Sequence, residues 1–109
     1  MSAYDCVLVD DDAMILMLWR AAAKKAQKRL LACINHQELW ARLDELSSET
    51  PIYIDMNLGG TKSGEQLARE LAEAGYRNLF YQTGYAGHLS SASIPSWIKG
   101  VLAKDPPWQ

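Results

Sequence analysis

A chain of 109 residues, 49% of them apolar and with a formal net charge of −2, holds one small domain built around a single core. The slight acidity excludes a face built for nucleic acid or another polyanion, and Lys24, Lys25, Lys28 and Arg29 read as the solvated end of a helix. The longest apolar run, Ala13 to Trp19, is far too short to span a bilayer, so no membrane segment is expected. The opening residues lack the basic-then-apolar order of a signal peptide. Cys6 and Cys33 lie in strand-like runs, which suits buried thiols in a reducing, cytoplasmic setting better than a disulfide.

In chain order, Cys6 to Val9 is a continuous apolar run, the pattern of a strand buried on both faces, and it stops at Asp10, Asp11 and Asp12. A helix is predicted over residues 13–27 with Asp12 as its N-cap. Ile15, Leu18, Trp19, Ala22 and Ala26 form its inward face, and Met14, Leu16 and Met17 widen the apolar stripe. Residues 30–34 read as a second strand. Asn35 and Glu38 form a capping-box variant that opens a helix with Leu39, Trp40, Leu43 and Leu46 inward. Pro51 opens a third strand, Ile52 to Ile54, which ends at Asp55. Ser63 and Gln66 make a second capping box, for a helix carrying Leu67, Ala68, Leu71 and Ala74 and stopped by Gly75. Leu79 to Gln82 is the fourth strand and delivers Thr83. Residues 84–96, rich in glycine and serine and closed by Pro95, predict at most one or two helical turns. A fifth strand over residues 98–103, interrupted by Gly100, delivers Lys104.

Strands alternating with helices predict an α/β domain, a doubly wound parallel sheet of five strands with helices on both faces and right-handed crossovers. Ligands in that architecture collect at the carboxyl ends of the strands. Asp10 and Asp11, Asp55, Thr83 and Lys104 all fall at those ends. Helix capping needs one acid, so Asp12 is assigned to the cap, and Asp10 and Asp11 to a site. His36 and His88 show no zinc-ligand spacing.

With these residues in place, the chain resembles the receiver domain of two-component response regulators. The resemblance runs through Val7-Leu-Val-Asp-Asp11, Ile54-Asp-Met-Asn-Leu-Gly-Gly60, Gln82-Thr-Gly84 and Ala103-Lys104, and covers the whole chain as one domain, residues 1–109. It implies a flavodoxin-like sheet of order 2-1-3-4-5, with Asp55 as phosphoacceptor, Thr83 as the hydroxyl that follows the phosphoryl group and Lys104 as its cationic partner. It implies magnesium held by Asp10, Asp11, Asp55 and the backbone carbonyl of Asn57, and a histidine kinase or histidine phosphotransfer protein as phosphodonor. The chemistry is self-catalysed transfer onto the chain's own aspartate, not turnover of a substrate. Asn57 and Tyr85, two residues beyond the aspartate and the threonine, are expected to tune hydrolysis of the acyl phosphate. The start of the first helix, with Met14 and Met17, is expected to meet the donor.

Three features depart from the family pattern. Asp105 follows the lysine where a proline is usual, so a cis bond belongs, if anywhere, before Pro106 or Pro107. Val101 stands at the aromatic switch position. The family's last helix has no sequence left to form it, which leaves a sheet face for a homodimer through Trp97, Ile98 or Trp108. Two other readings compete. One is a receiver-like interaction module that is not phosphorylated. The other is a phosphatase of the haloacid-dehalogenase type, which wants an acid two residues after its nucleophile, where Asn57 stands.

Overall fold

The structure, a computed structural model, describes residues 2–56, 58, 62–83 and 94–108. The five apolar runs become strands β1 (Cys6–Val9), β2 (Leu30–Cys33), β3 (Ile52–Asp55), β4 (Leu79–Gln82) and β5 (Ile98–Leu102). All neighbours pair in parallel, in the order β2-β1-β3-β4-β5 that the receiver-domain resemblance implies. Helices α1 (Ala13–Lys25), α2 (His36–Trp40) and α3 (Gly64–Glu73) cover the faces.

Alternate strand residues feed two cores. Val7, Val9, Ile52, Ile54, Leu79, Tyr81 and Ile98 pack under α2 and α3 through Leu39, Leu67, Ala68 and Leu71. On the other face Cys6, Leu8 and Tyr53 pack under Leu16 and Trp19 of α1. Because both faces of β1 and β3 are covered, those strands carry no polar position until Asp55.

Several local expectations shift. The inward face of α1 is Leu16, Trp19 and Ala23, while Leu18 turns outward and is 47% exposed. Apolar residues occupy 13–19 without a break, so periodicity cannot choose the face, and contact with β1 and β3 does. The predicted second helix is cut to five residues, and a 3₁₀ turn at Leu43–Glu45 continues it. Leu43 and Leu46 still pack on the core, half-buried. Both N-caps form, as half of each predicted capping box: the Asn35 side chain accepts the Glu38 N–H at 2.9 Å, and Ser63 Oγ accepts the Gln66 N–H at 3.1 Å, while Glu38 Oε1 reaches back to the Ile34 N–H at 2.8 Å. Gly75, at φ 100°, follows the C-cap of α3, where an L side chain would be strained. Most of the predicted weak fourth helix, 84–93, lies outside the described residues.

At β5 the register slips between Leu79 and Phe80, so that Phe80 faces Gly100 and Lys99 is bulged out. Ile98, paired with Leu79, points with it into the α3 face and is 7% exposed; Trp97 packs on that same core. Neither lies on the face that a last helix would cover, which corrects the expected dimer contact. That face instead presents half-buried Phe80 and Trp108 and the 37%-exposed Leu102. Trp108 packs edge-on against Trp19 with ring centroids 5.3 Å apart. The described residues contain no cis peptide bond.

Cys6 and Cys33 are free and buried, and burial pushes both thiols up to about 12. At pH 8 only about one thiol in ten thousand would be ionised, and access is closed as well. Neither cysteine is expected to react with a disulfide reagent in the native state, and both should react fully in denaturant. Rapid labelling of folded protein would contradict this packing.

Candidate functional site

The site forms where β1, β3 and β5 end. Asp10 follows β1, and its N–H extends the ladder by bonding the Cys33 carbonyl at 3.0 Å. Its carboxylate is fully buried, with Oδ1 accepting the Asp12 N–H at 2.9 Å. Asp12 caps α1 as predicted, accepting the Met14 N–H at 2.9 Å. Asp55 closes β3 and is 2% exposed. Lys104, two residues past β5, sends Nζ to within 3.1 Å of both Asp10 Oδ2 and Asp55 Oδ2. The ammonium thus bridges residues 94 and 49 positions away in sequence, and its hydrogen bonds to both acids are charge-assisted.

Asp11 is exposed beside this pair, and oxygens of Asp10, Asp11 and Asp55 lie within 4.8 Å of one another. Hard carboxylate oxygens at that spacing suit one small divalent cation, since magnesium, about 2.1 Å from each ligand, needs ligand oxygens roughly 3–4 Å apart. Burial pushes the Asp10 carboxyl above its usual range; its bonds to the Asp12 N–H and to Lys104 pull it back, and the Asp55 charge adds to the rise. Repulsion between the acids is therefore present but secondary to burial. Burial draws the Lys104 ammonium down, yet its bonds to Asp10 and Asp55 outweigh this and hold it above the ordinary lysine value.

Thr83 joins the same edge. Gln82 pairs with Asp55 across β3–β4, so Thr83 leaves β4 one residue beyond the acceptor position, and its N–H bonds the Leu102 carbonyl at 3.1 Å. Asn57 and Tyr85 lie outside the described residues.

Sequence reasoning missed three residues that shape the site. At Gly64, the first residue of α3, an added Cβ would stand 2.0 Å from the Asp55 carbonyl oxygen, so only glycine lets the helix start so close to Asp55. Trp19 Nε1–H donates to the Lys104 carbonyl at 3.2 Å, and Gln82 Nε2–H to the Ala103 carbonyl at 3.2 Å. A glycine one place after a Ser N-cap is the sole trace of the first in the sequence. The other two depend on long-range contacts that leave no local pattern.

Neither a protein-family model nor a curated sequence matches the chain. Solved structures do. The N-terminal domain of a response regulator receiver protein from Methanoculleus marisnigri JR1 superposes with a TM-score of 0.73 at 17% identity, over 95% of this chain and 86% of that one. The N-terminal domain of a response regulator/sensory box/GGDEF three-domain protein from Carboxydothermus hydrogenoformans does so with a TM-score of 0.69 at 14% identity, over 92% and 81%. The chain has the receiver-domain fold.

Proposed function

We propose that this chain is a phosphoacceptor receiver, taking a phosphoryl group from phosphohistidine on a partner protein. The observation that supports it best is the bridging of Asp10 and Asp55 by Lys104 Nζ, at 3.1 Å to each, beside the exposed Asp11. An Asp55 carboxylate oxygen would attack phosphorus as the P–N bond to the imidazole breaks and the departing nitrogen regains a proton. Asp55 is rigid at a strand end, held in place by the ladder to Gln82 and by α3 closing on its carbonyl. Lys104 supplies positive charge where the transferred oxygens would lie, and Thr83 would donate to another of them. Asp10, Asp11, Asp55 and the Asn57 carbonyl would hold magnesium, which when bound offsets the charge of the incoming phosphate.

Exposed Met14, Met17 and Leu18 on α1, next to Asp11, suit an adaptable apolar contact with the donor's helices. No helix among the described residues is long and apolar enough to cross a membrane, and two free buried thiols suit a cytoplasmic setting. A homodimer would use Phe80, Leu102 and Trp108. Sedimentation at high micromolar concentration should show it weakened by Leu102→Lys, and a monomer throughout would remove it.

Incubation with magnesium and acetyl phosphate, read by intact mass, tests the function: one lasting phosphoryl adduct is expected. No adduct would favour an interaction module, and turnover of phosphate esters a phosphatase. Because carboxylates must ionise to hold the cation, magnesium should raise the melting temperature more at pH 7.5 than at pH 5, and Asp11→Ala should remove most of the rise. An equal rise at both pH values would place the cation elsewhere.

A further inference from the structure

We infer that Trp19 and Gln82 are positioning residues for Lys104: two fully buried side chains hold the successive carbonyls of Ala103 and Lys104. They thereby fix the backbone from which the ammonium reaches Asp10 and Asp55. The β5 ladder ends at Leu102, whose carbonyl takes the Thr83 N–H. Past it, Gln82 Nε2–H bonds the Ala103 carbonyl and Trp19 Nε1–H the Lys104 carbonyl, each at 3.2 Å. Asp105, standing after the lysine, has no ring to restrict the chain there. The two side chains take over the constraint.

Both donors are themselves packed into the core. Trp19 is fully buried, packed against Tyr53 at 5.4 Å and Trp108 at 5.3 Å between ring centroids. Gln82 is fully buried as well, and its Oε1 has no hydrogen-bond partner among the described residues. Turning the amide over would set Oε1 against the Ala103 carbonyl, acceptor against acceptor, so the donating orientation stands. A half-satisfied amide in a core costs stability that a methionine or leucine would not. The chain carries that cost at a residue adjoining Thr83, one strand away from Lys104, as expected where a polar side chain serves the site.

Trp19→Phe keeps a ring but loses the donor, and Gln82→Met keeps length and burial but loses the amide. In the full chain, each is expected to lower the backbone heteronuclear NOE at Lys104 and Asp105. Each should also slow phosphorylation by acetyl phosphate about tenfold at saturating magnesium. In a Lys104→Ala background neither should slow the residual rate further. Rigid residues 103–105 with an unchanged rate in both variants would overturn the inference, as would equal slowing in both backgrounds, the mark of a merely structural role. Only the rate measurement rests on the phosphoacceptor reading. A wild-type chain that takes no phosphoryl group, while the variants still loosen 103–105, would remove that reading and support the clamp. If Trp19→Phe does not fold, Gln82→Met decides alone.

Discussion

Asp55→Asn is expected to abolish the phosphoryl adduct while leaving the fold intact or slightly more stable. The two effects have opposite signs for one reason. Asp10 and Asp55 are both buried and share the Lys104 ammonium, with Asp11 adding a third acid at the rim. Without a cation this crevice carries excess negative charge, which asparagine relieves at the same shape. A gain of about 1 kcal/mol in magnesium-free denaturation is the size seen when a functional group is traded for a neutral one. The nucleophile, however, is gone, because an amide oxygen does not form a lasting acyl phosphate. Intact mass gives the first result and urea denaturation the second. An adduct formed on Asp55→Asn at wild-type yield would mean another acceptor, and a strong loss of stability would mean that Asp55 serves mainly to hold Lys104.

Among the described glycines, Gly64 is where one added methyl should do the most damage. Its Cβ would meet the Asp55 carbonyl oxygen at 2.0 Å and the Asp55 carbonyl carbon and Met56 Cα at 2.8 Å, all backbone atoms that cannot rotate away. Alanine's better helix propensity returns about 1 kcal/mol, whereas overpacking against a fixed strand costs about 3 kcal/mol, so the net is a loss. Either α3 withdraws or Asp55 shifts, and a displacement of about 1 Å at a reacting group is worth about a hundredfold in rate. The expected result is therefore a lower denaturation midpoint together with a phosphorylation rate down about a hundredfold. Glu65→Ala, exposed one residue later, should change neither. Wild-type stability and rate in Gly64→Ala would show that the approach of α3 to Asp55 is not tight.

The strands and the carboxyl-edge location of Asp10, Asp11, Asp55, Thr83 and Lys104 were legible in the sequence, because continuous apolar runs ending in a polar residue are a local signal and parallel crossovers place those ends on one edge. The order of the strands came only from the resemblance to receiver domains. The N-caps at Asn35 and Ser63 were legible as well, since both partners lie within one turn. The face of α1 was not: seven apolar residues in a row satisfy any face, and only the surfaces of β1 and β3 selected Leu16, Trp19 and Ala23. Nor was the direction of Ile98, which its pairing with Leu79 sets toward α3, where Trp97 also packs. The glycine demanded by Asp55 and the carbonyl clamp around Lys104 belong to this second group. Residue type and spacing along the chain decided which side chains reach the edge of the sheet. How closely they meet there was decided by packing between segments far apart in sequence, because a contact at van der Waals range depends on every layer beneath it.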